Sequence, residues 1–239
     1  MKYGICPLSV VPMRAMPFHE SELVSELLYN DVYKIIDEND EWLKIQCEYD
    51  SYEGWIRRLQ HDEISEIQYN KLLSGSKYVI NTPISIYNNL ILSCGSYLFE
   101  KTEHSINIPD IFDVNIMIET AKKFLGVPYR WGGKSIMGID CSALVQICCK
   151  TAGYKLKRDA SQQVNNGKTI TSIDEAEPGD LAYFHNENNK ITRVGILISK
   201  DKIIHASGVV RIDRIDDKGI FNDNDDNYTH QLSVIKRLT

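Results

Sequence analysis

The sequence lacks the features that would assign a chain of this length to a membrane, nucleic-acid-binding or disulfide-rich class. No stretch approaches the roughly 20 consecutive apolar residues that a membrane-spanning helix needs, so we expect no membrane span. The 27 lysines and arginines are outnumbered by 33 aspartates and glutamates, and we expect no nucleic-acid partner. With 43% hydrophobic residues among 239, the chain has the composition of a globular protein with one large or two modest domains.

The six cysteines form no CxxC pair, and the histidines form no cluster at metal-ligand spacing. Neither a disulfide framework nor a metal site is therefore indicated, and we expect no cofactor. Five of the cysteines are interpreted as small apolar residues of the core, the usual position of a free cysteine. Cys141 differs from them because it begins a predicted helix.

The amino-terminal residues do not resemble a secretion signal. Pro7 and Pro12 interrupt the short apolar run of residues 1–11, which carries one lysine. We therefore expect a cytoplasmic protein, or a periplasmic one if a signal peptide has been removed.

Short segments with alternating apolar residues predict a small β-barrel near the amino terminus. Strands are predicted at 32–36 and 42–47, and Leu43, Ile45 and Cys47 share one face of the second strand. Together with the stretch 21–28 and the Ser-Tyr-Glu-Gly-Trp-Ile segment at 51–56, these strands resemble a bacterial SH3 (SH3b) domain.

A short amphipathic helix is predicted near 62–73. Ile64, Ile67 and Leu72 fall on a common side, and Gly75 lies just beyond its end.

The next strand-like residues, 78–99, are assigned to the same amino-terminal domain, where they either complete the barrel or form a second small one. The polar run 100–105 and Pro109 indicate a boundary. The predicted domains are therefore 1–108 and 109–239.

Beyond this boundary the pattern changes to helices followed by strands. A helix is predicted at 114–125, and a second one at 141–152 with Asp140 as its N-cap and Gly153 at its end. Five strands are then predicted, at 181–184, 194–199, 203–206, 209–213 and 232–237. Helices first and an antiparallel sheet afterwards indicate an α+β domain.

The predicted helix start gives Cys141 a position suited to nucleophilic catalysis. A thiol attacks as its thiolate, and unpaired N–H groups and peptide dipoles in a first helical turn lower its pKa. A general base must come from elsewhere in the fold, and His205 lies downstream on a predicted strand. The alternatives are an inert buried thiol at Cys141 and an ordinary core histidine at His205.

An ordered series of motifs surrounds these two residues. The segments are Gly-Val-Pro-Tyr-Arg-Trp-Gly-Gly at 126–133, Gly-Ile-Asp-Cys-Ser at 138–142, Pro-Gly-Asp-Leu at 178–181, Val-Gly-Ile at 194–196 and Ile-His-Ala-Ser-Gly at 204–208. This series resembles the NlpC/P60 cysteine peptidases. The resemblance implies a papain-like domain, with helices packed on an antiparallel sheet and Cys141 as nucleophile. With the SH3b-like region, the chain resembles γ-D-glutamyl-L-diamino acid endopeptidases, which act on small peptidoglycan-derived peptides.

One position departs from the family pattern. The resemblance places a catalytic histidine before the Val-Gly-Ile strand, where this chain has Arg193, and makes His205 the third, orienting member of the triad. Arginine stays charged at working pH, so it can neither accept the thiol proton nor return one to the leaving amine. It can still stabilise a Cys141 thiolate by charge. We expect weak or absent peptidase activity unless His205 or His185 takes the role of base.

The resemblance also implies a set of substrate contacts. Tyr129, Asp140 and Ser142 correspond to residues that hold a free amino terminus, and a carboxylate facing an ammonium group selects against blocked peptides. Trp131 belongs to the same cleft segment as Tyr129, and Arg158-Asp159 resembles another family segment that lines the cleft. Asp140 acting only as an N-cap, and the two aromatic residues acting only in packing, are the alternatives.

Three functions are compatible with these residues. The first is a cysteine peptidase that acts on peptidoglycan-derived peptides. The second is an inactive protein of the same fold, a pseudoenzyme that binds such peptides without cleaving them. The third is an acyltransferase or amidase, because the same acyl intermediate serves those reactions.

Overall fold

The structure is a computed structural model that describes residues 2–75, 77–223 and 225–239. The chain forms two compact units, each built from two segments: Met1–Ile108 with Trp131–Gly138, and Pro109–Arg130 with Ile139–Thr239. All six cysteines lie within the described ranges and are free. Across the same ranges, no helix has the length and apolar character needed to cross a membrane.

The first unit contains a seven-stranded antiparallel sheet. Its strands follow the order β3-β2-β6-β5-β4-β1-β7 across the sheet. Their bounds are β1 (Lys2–Ile5), β2 (Val10–Arg14), β3 (Leu23–Leu28), β4 (Val32–Glu38), β5 (Trp42–Cys47), β6 (Glu53–Arg57) and β7 (Asp62–Ile64), with a 3₁₀ turn at Arg58–Gln60.

Alternating apolar residues build the core of this sheet. Leu43 and Ile45 of β5 are fully buried and pack with Val11 and Ile56, while Cys47 packs against the same cluster. Burying a side chain of this size contributes roughly 1.5–3 kcal/mol. The predicted SH3-like sheet region and the predicted apolar face of β5 are therefore confirmed.

The predicted helix near 62–73 begins later than expected. Helix α1 spans Glu66–Ser74, because Ser65 and Gln68 form a capping box at its start. The residues Asp62–Ile64 instead form β7. The predicted apolar side is also wrong at Ile67, which is 82% exposed, whereas Tyr69 is buried against Tyr3 at a ring-centroid distance of 4.3 Å.

Residues 78–107 form two small sheets and do not extend the seven-stranded one. The strands are β8 (Tyr78–Ile80), β9 (Ile84–Tyr87), β10 (Leu90–Ser93), β11 (Tyr97–Leu98) and β12 (Ser105–Asn107). Strands β9 and β10 form a hairpin, and β8 lies between β11 and β12. The segment therefore does not complete the first sheet, and its described strands form two small open sheets instead of the second small barrel that was the other alternative.

The second unit contributes helices α2 (Val114–Lys123), α3 (Cys141–Thr151) and α4 (Ala160–Gln163), with a 3₁₀ turn at Ile173–Glu175. Two-residue strands at Lys134–Ser135 (β13) and Gly138–Ile139 (β14) lie between α2 and α3 in the sequence and pair with each other, and β13 belongs to the first unit. The remaining strands are β15 (Lys168–Ile170), β16 (Leu181–His185), β17 (Ile191–Ser199), β18 (Lys202–Ser207), β19 (Val209–Ile215), β20 (Gly219–Asn222) and β21 (Asn227–Arg237).

Strands β16 to β21 form a closed antiparallel barrel. The order β21-β16-β17-β18-β19-β20 is closed by an additional pairing of β20 with β21. Its apolar interior includes Leu197, Ile203 and Ile215. Helix α3, in which every residue is buried, packs against β17 and β18. The predicted α+β class, with few helices packed on antiparallel strands, is confirmed.

Candidate active site

Cys141 is the first residue of α3, directly after the N-cap that the sequence predicts. The Asp140 carboxylate accepts a hydrogen bond from the Ala143 N–H at 2.8 Å and so satisfies one of the unpaired donors of the first turn. The Cys141 Sγ donates to the carbonyl oxygen of Thr192 on β17 at 3.9 Å. The thiol is therefore held between the start of a helix and one strand of the barrel, with only 5% of the residue exposed.

The charge state of this thiol differs from the one that its helix position predicts. Burial raises the pKa of the Cys141 thiol, and the neighbouring Asp140 carboxylate raises it further. The Val194 N–H and the positive charges of Arg193 and Arg158 lower the pKa without reversing the net rise. The thiol is therefore mostly protonated at neutral pH.

Arg193 and His205 lie on the same face of the barrel sheet. Gly195 pairs directly with His205 across β17 and β18, and Arg193 lies two residues before Gly195. Because side chains two apart on a strand share a face, Arg193 and His205 do so as well. Leu197 and Ile203 continue this face into the apolar core of the barrel. Arg193 and His205, the two predicted triad positions on strands, therefore occupy the inward face of the barrel.

The Arg193 guanidinium has an unusual environment. Its Cζ lies 5.6 Å from the centroid of the Tyr129 ring, within the range of a cation–π interaction. Its Nη1 atom is buried and has no hydrogen-bond partner among the described residues. Burial raises the pKa of Tyr129, and the Cys141 sulfur raises it further. Arg193 therefore presents a fixed positive charge with an unused donor.

His205 is bound to an acidic partner that none of the sequence motifs includes. Its Nε2 donates to Asp213 Oδ2 at 2.7 Å, and Arg211 donates twice to Asp213 Oδ1. Burial alone raises the pKa of the Asp213 carboxyl, but the hydrogen bonds and charges of His205 and Arg211 outweigh it, and the net pKa is lowered. Alternation along the predicted strand 209–213 places Arg211 and Asp213 on one face, and this signal would have identified them.

His230 is a second site residue that the motifs do not include. Its ring packs edge-on against His205 at a centroid distance of 5.7 Å, and its Nδ1 lies 2.7 Å from the Thr229 hydroxyl. Burial lowers the pKa of His230 to about 4, and the nearby His205 and Arg193 also lower it. The imidazole is therefore neutral at neutral pH. No pattern around residue 230 indicates this position, because it depends on closure of the barrel.

The three residues Asp140, Ser142 and Arg158 form a buried polar network. Arg158 Nη1 donates to Asp140 Oδ1 at 3.0 Å and to Ser142 Oγ at 2.9 Å, and Arg158 Nη2 donates to Asp140 Oδ2 at 2.5 Å. Ser142 Oγ also donates to Asp140 Oδ1 at 3.1 Å. The predicted amine-binding carboxylate thus already has a cationic partner in its own chain.

The remaining predicted residues lie in different surroundings. Asp159 is half-buried and precedes α4 as its N-cap without a side-chain capping bond. Trp131 is 60% exposed and belongs to the first unit, where its Nε1 donates to Glu22 at 2.7 Å. His185 ends β16, and its Nδ1 lies 3.0 Å from the Asn186 carbonyl oxygen.

A polar groove of about 730 Å³ lies at the end of the barrel that carries Arg193. Its lining includes Thr192, whose carbonyl accepts from Cys141, and His230. Hydroxyl, amide and imidazole groups dominate the rest of its surface, which consists of Phe184, His185, Asn186, Glu187, Asn188, Ser207, Thr229 and Gln231. Arg193 and His230 therefore share one cavity.

Comparison with protein families gives two matches. Residues 126–225 match the NlpC/P60 family, and residues 13–59 match the bacterial dipeptidyl-peptidase SH3 domain. The first match includes Cys141, Arg193 and His205.

Curated relatives match most of the chain. Dipeptidyl-peptidase 6 of Lysinibacillus sphaericus is 30% identical over 238 residues, which cover 81% of this chain and 83% of that protein. The γ-D-glutamyl-L-lysine dipeptidyl-peptidase of Bacillus subtilis (strain 168) is 26% identical over 218 residues, which cover 78% of this chain and 73% of that protein. An NlpC/P60 family protein from Bacillus cereus ATCC 10987 shares the fold, with a TM-score of 0.83 at 18% identity over 98% of this chain and 99% of that one.

Proposed function

This chain belongs to the NlpC/P60 family of cysteine peptidases, and from that premise we propose that it hydrolyses the γ-D-glutamyl–L-diamino acid bond of small peptidoglycan-derived peptides. The names of the two curated relatives support this substrate, because both are dipeptidyl-peptidases and one is named for γ-D-glutamyl-L-lysine. The observation that carries the proposal is Cys141 at the start of α3, facing β17.

In the proposed reaction, the Cys141 sulfur attacks the γ-carbonyl carbon of the D-glutamyl residue. The C–N bond to the diamino acid then breaks, the amine leaves with a proton, and a thioester remains on Cys141. Water hydrolyses the thioester and regenerates the thiol. Arg193 cannot exchange a proton at working pH. Solvent water therefore accepts the thiol proton and donates a proton to the leaving amine. We propose that this limits turnover.

Tyr129, Asp140 and Ser142 are proposed to hold the free amino terminus of the peptide. The ammonium group would share the Asp140 carboxylate with Arg158, which already donates to both of its oxygens. A blocked amino end would bring no positive charge to this carboxylate and would add bulk beside it. Trp131 and Asp159 remain proposed contacts to the rest of the peptide.

An alternative function is peptide binding without cleavage. Arg193 at the base position and the raised pKa of the Cys141 thiol both favour it. In that case Tyr129, Asp140 and Ser142 would hold the peptide while the sulfur stayed protonated.

We expect slow release of L-Lys from the tripeptide L-Ala-γ-D-Glu-L-Lys, measured by mass spectrometry, and no release by Cys141→Ala. Cys148→Ala is the matched control, because Cys148 is a buried thiol on the same helix. This control should retain the native rate, and an N-acetylated tripeptide should react more slowly. Tripeptide binding without any cleavage would contradict the peptidase and support the alternative. Equal cleavage by the Cys141→Ala variant would exclude Cys141 as nucleophile.

A further inference from the structure

The unused donor on Arg193 indicates an acceptor that the described residues do not supply. Among them, the buried Arg193 Nη1 atom has no hydrogen-bond partner, although buried polar groups in proteins are nearly always paired. A buried donor without an acceptor destabilises the free protein, and an arriving acceptor recovers that free energy. The missing acceptor is therefore expected to come from a bound molecule.

The position of Arg193 determines where that acceptor lies. Arg193 lines the polar groove at the barrel end, and the adjacent Thr192 carbonyl contacts the Cys141 sulfur. The Tyr129 ring beside the guanidinium limits its movement. The groove therefore includes the strand residue whose carbonyl contacts the nucleophile.

The charges around the groove favour an anion. His230 lines it and is neutral at neutral pH, because burial lowers its pKa to about 4. Ser207 and Gln231 add uncharged hydrogen-bonding groups to the lining. The acidic residue of the lining is Glu187, which is exposed. The positive charge of Arg193 therefore has no buried acidic competitor among the lining residues.

We propose that Arg193 forms a carboxylate-binding subsite, so that the position of the family's catalytic base now recognises a free carboxylate of the peptide. A guanidinium fits a carboxylate with two parallel hydrogen bonds, a geometry that lysine or histidine does not offer. This inference rests on the proposed function, since it concerns the ligand of the same site. Arginine in place of histidine would then lower the rate of hydrolysis and increase the selectivity for peptides with a free carboxylate.

The substrate class offers two carboxylates that fit this subsite. One is the α-carboxylate of the γ-linked D-glutamyl residue, and the other belongs to the diamino acid on the leaving side. Both are free in L-Ala-γ-D-Glu-L-Lys, and each can be converted separately to an amide that keeps its shape and loses its charge. The two amides therefore distinguish the two sources of the carboxylate.

The test is a calorimetric titration of the Cys141→Ala protein with the tripeptide and with each of its two monoamides. One amide is expected to bind about 10- to 100-fold more weakly than the acid, as for the loss of a hydrogen bond to a charged group. In the background of Arg193→Gln this ratio should fall to about 1, and Arg193→Lys should retain part of it. Arg214→Gln is the matched control, because Arg214 is exposed and pairs with Asp223 on the surface of the same unit.

Three results would overturn the inference: both amides binding within about twofold of the acid, a preference that persists in Arg193→Gln, or no binding of the tripeptide at millimolar concentration. The titration uses a protein without the nucleophile, so its outcome does not depend on turnover. Failure of the native protein to cleave the peptide would leave the subsite intact. Cleavage without any carboxylate preference would contradict the subsite alone.

Discussion

Replacement of Arg193 by histidine is expected to raise kcat/KM for L-Ala-γ-D-Glu-L-Lys by about 10²-fold or more. The reason is that an imidazole at this position on β17 can accept the thiol proton and return it to the leaving amine, a contribution of roughly 10² to 10⁴ in rate. His205, already hydrogen-bonded to Asp213 on the same face, would support the new imidazole. The measurement is steady-state hydrolysis of the tripeptide. If Arg193 also binds a carboxylate, KM should rise while kcat increases.

A matched control separates this effect from the mere addition of a histidine. Ser199→His places an imidazole at the other end of β17, outside the groove lining. This variant should show no gain. A native kcat/KM equal to that of Arg193→His would mean that another group already serves as the base, and the role assigned to Arg193 would be wrong.

Removal of the Arg158 side chain is expected to destabilise the second unit by about 3–5 kcal/mol. Arg158 and Asp140 form a buried ion pair, with side-chain exposures of 1% and 7%. The Arg158→Ala variant leaves the Asp140 carboxylate buried without its cation and removes a donor from Ser142. Urea unfolding followed by circular dichroism measures the loss as a lower transition midpoint.

The control for this prediction is the exposed pair of Arg214 with Asp223, whose side chains are 58% and 62% exposed. Solvent screens such a pair, so Arg214→Ala should change the free energy of unfolding by no more than about 1 kcal/mol. The double variant Arg158→Met with Asp140→Asn should be more stable than Arg158→Ala, because no uncompensated charge remains buried. Equal losses for Arg158→Ala and Arg214→Ala would show that the buried network has no special role.

The fold was largely predictable because its strongest patterns are local. Alternation in β5 predicts both the strand and its buried face, and Asp140 caps α3 as its position in the sequence predicts. The helix near 62–73 shows the limit of such patterns. Tertiary packing of Tyr69 on Tyr3 decides which side of α1 is buried, and the helical spacing of Ile67 does not.

Features that depend on distant pairings could not be predicted. The four residues of β20 carry too short a pattern to be recognised, yet their pairing with β21 closes the barrel. The proximity of His230 to His205 follows from that closure. In the same way, segment 131–138 belongs to the first unit, where Glu26 accepts from the Lys134 N–H at 2.7 Å although 108 positions separate the two residues.

The site likewise has features that the sequence motifs predict and features that depend on the residues which the fold brings around them. The motifs correctly predict that Cys141 begins a helix, but they do not predict that burial and Asp140 raise the pKa of its thiol. The resemblance predicts Asp140 and Ser142 as amine ligands. The resemblance also places Arg158 in a cleft segment, but it does not predict that Arg158 donates hydrogen bonds to both Asp140 and Ser142.

The most direct test of whether Cys141 lacks an activating base is the pH dependence of its alkylation by iodoacetamide, measured by mass spectrometry of the Cys141 peptide. Because burial and the Asp140 carboxylate raise the pKa of the folded thiol, its alkylation should level off at a higher pH than that of the urea-unfolded chain. The urea-unfolded chain provides the reference for an unperturbed cysteine. Arg193→His should introduce a plateau at lower pH, where an imidazolium holds the thiolate. A plateau near neutral pH in the native protein would contradict the absence of such a base.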